Sequence, residues 1–156
     1  MRWLFRILDR RTTRQYESEL RSFLAVLHTL TSHEMAELVI LADHVRQGLV
    51  QAGNDVNHPS ELAMRNASIT DDLVRSVVSF QKNGNPLAAS AMAVWAHTMR
   101  CVLRPELHPL RLQMWREIGR GFDSIDAVLP GLRLRLQTDF QPGEARTYPE
   151  GCRPVI

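Results

Sequence analysis

The sequence predicts an all-α fold, a helical bundle of about five helices followed by an extended C-terminal tail. Two observations support this prediction. Apolar residues recur in steps of three and four over much of the first 129 residues, which is the period of one face of a helix. The composition then changes, because residues 130–156 hold four of the eight prolines and three of the eight glycines. We therefore expect one helical domain over residues 1–129 and a tail over residues 130–156.

The first two helices have recognisable limits. The apolar stripe of the first runs from Tyr16 to Leu30. Thr31 and Glu34 then have the spacing of a capping box, in which each side chain accepts a backbone N–H of the other residue. Gly53 is expected to end the second helix. The middle of that helix is apolar nearly all round, which predicts central burial or a second partner.

Turn-forming residues divide the middle of the chain. A loop is expected over residues 53–60, and Pro59 is suited to open a short helix that runs to Ala67. Thr70 is expected to cap the next helix, whose valines also give it some strand character. The Asn83–Pro86 turn should end that helix and start another.

Two further helices complete the predicted bundle. An alanine-rich helix is expected over 86–103, where small side chains favour close packing, and a last helix over about 110–129. Gly119 and Gly121 each cost that last helix roughly 1 kcal/mol relative to alanine. They therefore indicate a bend or a close neighbour.

Composition and charge exclude several classes of protein. The 156 residues carry a net charge of +2, with 44% hydrophobic and 23% charged residues, which is typical of a globular chain. No strongly basic stripe or recognisable helix-turn-helix points to nucleic acid, so no nucleic-acid partner is expected. Lys82 is the single lysine beside many arginines, a bias that we attribute to a GC-rich, bacterial genome.

The cysteines and the hydropathy pattern favour the cytoplasm. Two cysteines do not make a disulfide framework; Cys101 is expected to be a buried small apolar residue and Cys152 an exposed thiol. No stretch approaches the length of a transmembrane helix, and the apolar run at the N-terminus is shorter than that of a signal peptide.

The nearest approach to a catalytic motif is His33–Glu37. It resembles the HExxH pattern of zinc peptidases, with glutamate in place of the second histidine. We favour a simpler interpretation, a capping box with a surface pair four residues apart, and predict no bound metal. No glutamate–histidine pair of the di-iron type, serine elbow or phosphate-binding glycine loop is present, so no cofactor is expected.

Polar residues near the middle of the chain give weaker candidates. His97 shares a helix side with Ser90, Arg100 and Arg104, and we interpret this side as a polar stripe. If Arg100, Arg104 and Arg111 converged, they would make an anion-binding patch; solvated helix faces explain them equally well.

The two ends of the chain are the preferred contact elements. Within the first 16 residues, five arginines oppose one acid, and residues 1–11 form a basic amphipathic segment suited to a partner groove or, weakly, to an anionic membrane surface. Segment 132–136 alternates leucine and arginine, as an extended strand with one apolar face would. The apolar contact residues predicted at the two ends are Trp3, Leu4, Ile7, Leu8, Leu132, Leu134 and Leu136.

The expected function is therefore a non-enzymatic one. The chain should bind another protein or a second copy of itself, as an adaptor, assembly or regulatory protein. The alternative is a small enzyme or ligand-binding bundle whose polar site combines His97, Arg100 and the loop at His58. A pocket with convergent polar groups would favour this alternative.

Overall fold

The computed structural model describes residues 2–53 and 69–125, which are almost wholly helical. A 3₁₀ turn at Pro105–Leu107 connects the last two helices. These ranges contain no strand, so the predicted all-α bundle is confirmed. The helix expected at 59–67 and the tail 130–156 lie outside the described residues. The five α-helices are α1 (Arg2–Thr29), α2 (Ser32–Gln51), α3 (Ile69–Lys82), α4 (Pro86–Leu103) and α5 (His108–Ile125).

The core lies where α2, α4 and α5 meet. Helix α1 packs mainly on α5, and α3 packs along α4. The Trp95 indole N–H donates to the Ala42 carbonyl over 2.9 Å and so joins α4 to α2. Trp115 of α5 meets the Trp95 ring edge-on, with centroids 6.3 Å apart. Cys101 is buried, as expected for a small apolar residue. Helix α2 is thus covered from two sides, which explains its nearly all-round apolar surface.

Both ends of α2 follow the signals in the sequence. The Thr31 hydroxyl accepts the Glu34 N–H over 3.1 Å, and the Glu34 carboxylate accepts the Thr31 N–H over 3.0 Å. The Thr31 backbone N–H lowers the pKa of the Glu34 carboxyl group most and the Thr31 side chain lowers it further, because both favour the charged form. At the other end, Gly53 has φ = 85°, a left-handed conformation that suits glycine. The predicted capping box and helix stop are both confirmed.

Replacing the capping hydroxyl should weaken the fold measurably. We expect Thr31→Ala to lower the free energy of unfolding by about 1 kcal/mol, because the Glu34 N–H loses its partner. Ser32→Ala, at an exposed neighbouring position, should change it by less than about 0.5 kcal/mol. Urea unfolding followed by circular dichroism measures both. Equal values for the two variants would contradict a capping role.

Two predicted helix starts need correction. Thr70 is the second residue of α3 and is buried, so it is not the N-cap that the sequence predicts. The helix includes Ile69, whose side chain is buried in the core. Helix α5 begins at His108 and not at Leu110. Pro109 fits in the first turn, where its missing N–H is not needed.

The two glycines of α5 differ in their surroundings. A Cβ atom at Gly121 would lie 2.5 Å from the Met35 carbonyl oxygen and 2.6 Å from Cγ2 of Val39. At Gly119 it would meet nothing within 4 Å. The close neighbour predicted from the sequence therefore exists at Gly121, where the backbone of α5 approaches that of α2.

Candidate functional site

The predicted contact residues at the two ends are only partly placed by the fold. Helix α1 runs unbroken from Arg2 to Thr29, so the backbone of the basic segment continues the first helix of the bundle. The side chains of residues 2–11 and the whole of segment 132–136 lie outside the described residues. Among the helices that are described, none has the length and apolar character needed to cross a membrane.

The arginines proposed as an anion patch have separate environments. Arg100 forms an ion pair with Glu19 of α1, and its guanidinium lies 4.2 Å from the centre of the Tyr16 ring. Arg111 is 1% exposed, with Nη2 3.2 Å from Nδ1 of His108. Arg104 is half-buried at the end of α4. Each arginine thus has a structural setting of its own, and the anion patch stays a prediction.

A fourth arginine stabilises the end of α1. Arg120 Nη2 donates to the Leu27 carbonyl over 2.6 Å, and Nη1 donates to the Leu30 carbonyl over 3.3 Å. Nη2 also lies 3.1 Å from Glu117 Oε2. A cation at the last turn of a helix satisfies carbonyls that have no helical partner and opposes the helix dipole. Arg120 therefore ties α5 to α1.

The segment that resembles a zinc motif forms a surface pair. His33 Nε2 lies 2.9 Å from Glu37 Oε1, and both side chains are exposed. This is the geometry of residues four apart on one helix face, as the simpler interpretation predicts. Among the residues that the structure describes, no three histidine, cysteine or acidic side chains form a group able to hold a metal ion.

A groove lies between α2 and α3, with α4 as its floor. We name it the α2/α3 groove; its volume is about 650 Å³. Its walls are two helix stripes, residues 41–52 and 69–80, each about 16 Å long at ~1.5 Å per residue. The lining residues are mostly apolar: Leu41, His44, Val45, Gly48, Leu49, Ala52, Ile69, Asp72, Leu73, Ser76, Phe80, Ala88, Ala91 and Met92.

Two of the polar side chains of the α2/α3 groove have local partners on α3. The Asp72 carboxylate forms an ion pair with Arg75, one turn further along α3. The Ser76 hydroxyl donates to the Asp72 backbone carbonyl over 3.1 Å. His44 is exposed on the opposite wall. These contacts do not place a base beside a nucleophile.

A second groove lies on the other side of α3, against α1. We name it the α1/α3 groove; it encloses about 490 Å³ and again has α4 as its floor. Phe23 and several valines make most of its apolar surface, while Glu19, His97 and Arg100 contribute polar groups. Its lining residues are Ser18, Glu19, Ser22, Phe23, Val26, Val74, Val77, Val78, Gln81, Ala93, Ala96, His97 and Arg100.

His97 differs from its interpretation as part of a solvated polar stripe. It is 7% exposed, because Phe23 of α1 covers it with ring centroids 5.2 Å apart. The pKa of His97 is lowered to about 4, mainly by burial and also by Arg100, while Glu19 acts in the opposite direction. The imidazole is therefore neutral near pH 7. Sequence reasoning missed this because helix periodicity does not show that α1 lies over this side of α4.

Comparison with known proteins gives no matching family model, no similar curated protein and no similar solved structure.

Proposed function

We propose that the protein is a non-enzymatic binding protein that receives an amphipathic helix of another protein in the α2/α3 groove. The observation behind this proposal is the pair of apolar stripes that face each other across the groove. Each stripe extends over about three helical turns, at ~3.6 residues per turn. A helix that inserts its apolar side between two such walls is a common mode of recognition.

The floor of the groove supports close approach. Ala88 and Ala91 of α4 are small and buried, so a bound helix could come near the α4 backbone. Met92 is half-buried beside them and can adapt its shape to different side chains. Leu49 and Phe80 add larger apolar surface at the walls. Binding would remove this apolar surface from water, which is favourable by about 25 cal/mol for each Å² that is buried.

The polar contacts favour binding over catalysis. Asp72 is paired with Arg75, and Ser76 donates to a backbone carbonyl. Catalysis by a serine would need a base within hydrogen-bond reach of the hydroxyl. At the rim, His44 and Asp72 are suited to fix the register of a partner helix.

The two ends of the chain are proposed as additional contact elements. Residues 1–11 carry an excess of arginine, and leucine alternates with arginine over segment 132–136. We propose a cytoplasmic protein whose basic N-terminal segment adds contacts to the partner, to a second copy, or weakly to an anionic membrane surface.

Site-specific photo-cross-linking tests the proposed groove. A benzoylphenylalanine at the exposed position His44 should cross-link the partner in cells of the source organism, and mass spectrometry identifies it. With the purified partner, we expect Leu49→Lys to weaken binding about tenfold or more, because a lysine cannot be buried at the apolar wall.

Val50→Lys is the matched control. Val50 is the next residue of α2, is 47% exposed and does not line the groove. Binding should change less than about twofold, as expected for a position outside the interface. Equal loss in both variants, or loss upon removal of residues 1–11 with none for Leu49→Lys, would refute the groove as the binding site. Thermal unfolding of each variant confirms that the bundle is intact.

A further inference from the structure

The α1/α3 groove contains a histidine ring that has no hydrogen-bond partner within the described part of the protein. Within the described part of the chain, the His97 imidazole makes no hydrogen bond, although the residue is 7% exposed. Its neighbours in α4 differ: the Trp95 indole donates to Ala42, and the Thr98 hydroxyl donates to Val94 over 2.7 Å. The side-chain nitrogens that are both fully buried and unpartnered do not include those of His97, so its ring can be reached from the groove. The imidazole can therefore form a hydrogen bond with a ligand in the groove.

The charges beside His97 cancel each other. Glu19 and Arg100 both line the groove and form an ion pair. An anionic ligand would have to compete with Glu19 for Arg100, and a cationic ligand would lie close to the Arg100 guanidinium. Both would lose favourable contacts with water on entering the groove. This end of the groove is therefore suited to an uncharged group.

The remaining walls are apolar and partly exposed. Val26 on α1 and Val78 on α3 are 48% and 44% exposed, which is high for large apolar side chains. Ala93 and Ala96 form a floor of small side chains between them. A ligand with an apolar body would cover these valines, and burial of that surface would favour binding.

We propose that the α1/α3 groove binds an uncharged, mainly apolar small molecule that carries one hydroxyl or carbonyl group. The polar group bonds to the His97 imidazole, which as a neutral ring offers one donor and one acceptor. The apolar body lies between the valines of α1 and α3. The site is separate from the α2/α3 groove, so each proposal can fail without the other.

Three probes that share one chain and differ in charge test this inference. Hexan-1-ol, hexanoate and hexylammonium are titrated into the full-length protein at pH 7, with valine methyl groups and histidine rings followed by NMR. Hexan-1-ol should shift the signals of Val77, Val78 and His97 in a saturable way. The charged probes should bind at least about fivefold more weakly, because the groove does not compensate their desolvation.

Variants of His97 test the hydrogen bond. His97→Phe keeps a ring of similar size and should weaken hexan-1-ol binding about three- to tenfold, the effect of one hydrogen bond. His97→Gln restores a donor and an acceptor and should recover part of the affinity. His44→Phe is the matched control in the other groove and should leave hexan-1-ol binding unchanged.

A rim variant covers the case in which the His97 variants do not fold. Val78→Glu adds a charge at an exposed wall position and should abolish saturable binding, whereas Val50→Glu, outside both grooves, should not. Equal affinity for the three probes would overturn the inference. So would unchanged hexan-1-ol binding in folded His97→Phe or Val78→Glu, or shifts confined to the residues of the α2/α3 groove.

Discussion

Gly121→Ala should destabilise the protein by about 2 kcal/mol, within the range of roughly 1–3 kcal/mol that overpacking costs. The added methyl group would lie 2.5 Å from the Met35 carbonyl oxygen and 2.8 Å from its carbon. Both atoms belong to the backbone of α2, so they cannot move aside as a flexible side chain would. Helix α5 would have to shift away from α2, in the centre of the core.

Replacing the glycine two residues earlier by alanine should have the opposite effect on stability. A Cβ atom at Gly119 meets nothing within 4 Å, so Gly119→Ala gains helix propensity without a clash and should stabilise by up to about 1 kcal/mol. Scanning calorimetry separates the two cases. The melting temperature should rise in Gly119→Ala and fall in Gly121→Ala, by about 2–4 °C for each kcal/mol. A rise, or no change, in Gly121→Ala would show that α5 does not approach α2 so closely.

Local signals in the sequence predicted most of the helix limits. The capping box at Thr31, the stop at Gly53 and the turn before Pro86 depend on residues that are adjacent in the chain, and all three are confirmed. The buried positions Leu20, Phe23 and Leu27 also follow from periodicity. Such features depend on one helix and its own hydrogen bonds, so one sequence is enough to find them.

The two grooves could not be predicted from one sequence. Periodicity marks the apolar face of α3, but it does not show that α3 packs along α4 and leaves a groove on each side. The nearly all-round apolar surface of α2 was the available hint, since it indicated a second contact. For His97, the decisive neighbour is Phe23, more than seventy positions earlier in the chain.

His97 should make the stability of the protein depend on pH. Its pKa falls from 6.5 in the unfolded chain to about 4 in the folded one, mainly through burial. Between these values the unfolded state binds a proton that the folded state does not, so acidification favours unfolding. His97 makes its full contribution to the free energy of unfolding above its pKa in the unfolded chain. This contribution is lost as the pH falls from about 6.5 to 4. At about 1.4 kcal/mol for each pKa unit, the full loss is on the order of 3 kcal/mol.

The variant His97→Gln isolates this effect, because glutamine is polar but does not titrate. Urea unfolding of both proteins at pH 7.5, 6.5, 5.5 and 4.5 gives the difference in unfolding free energy at each pH. His108, whose pKa is also lowered by burial and by Arg111, contributes to both proteins and cancels in that difference. Glu19 and Arg100 are the charged groups of the groove that act on His97, and both remain in the variant. We expect this difference in unfolding free energy to be constant above about pH 7. On acidification to pH 4.5, the native protein should lose about 1–3 kcal/mol of stability relative to His97→Gln. Parallel curves would mean that the folded bundle does not lower the pKa of His97, which would contradict the burial of its ring beneath Phe23.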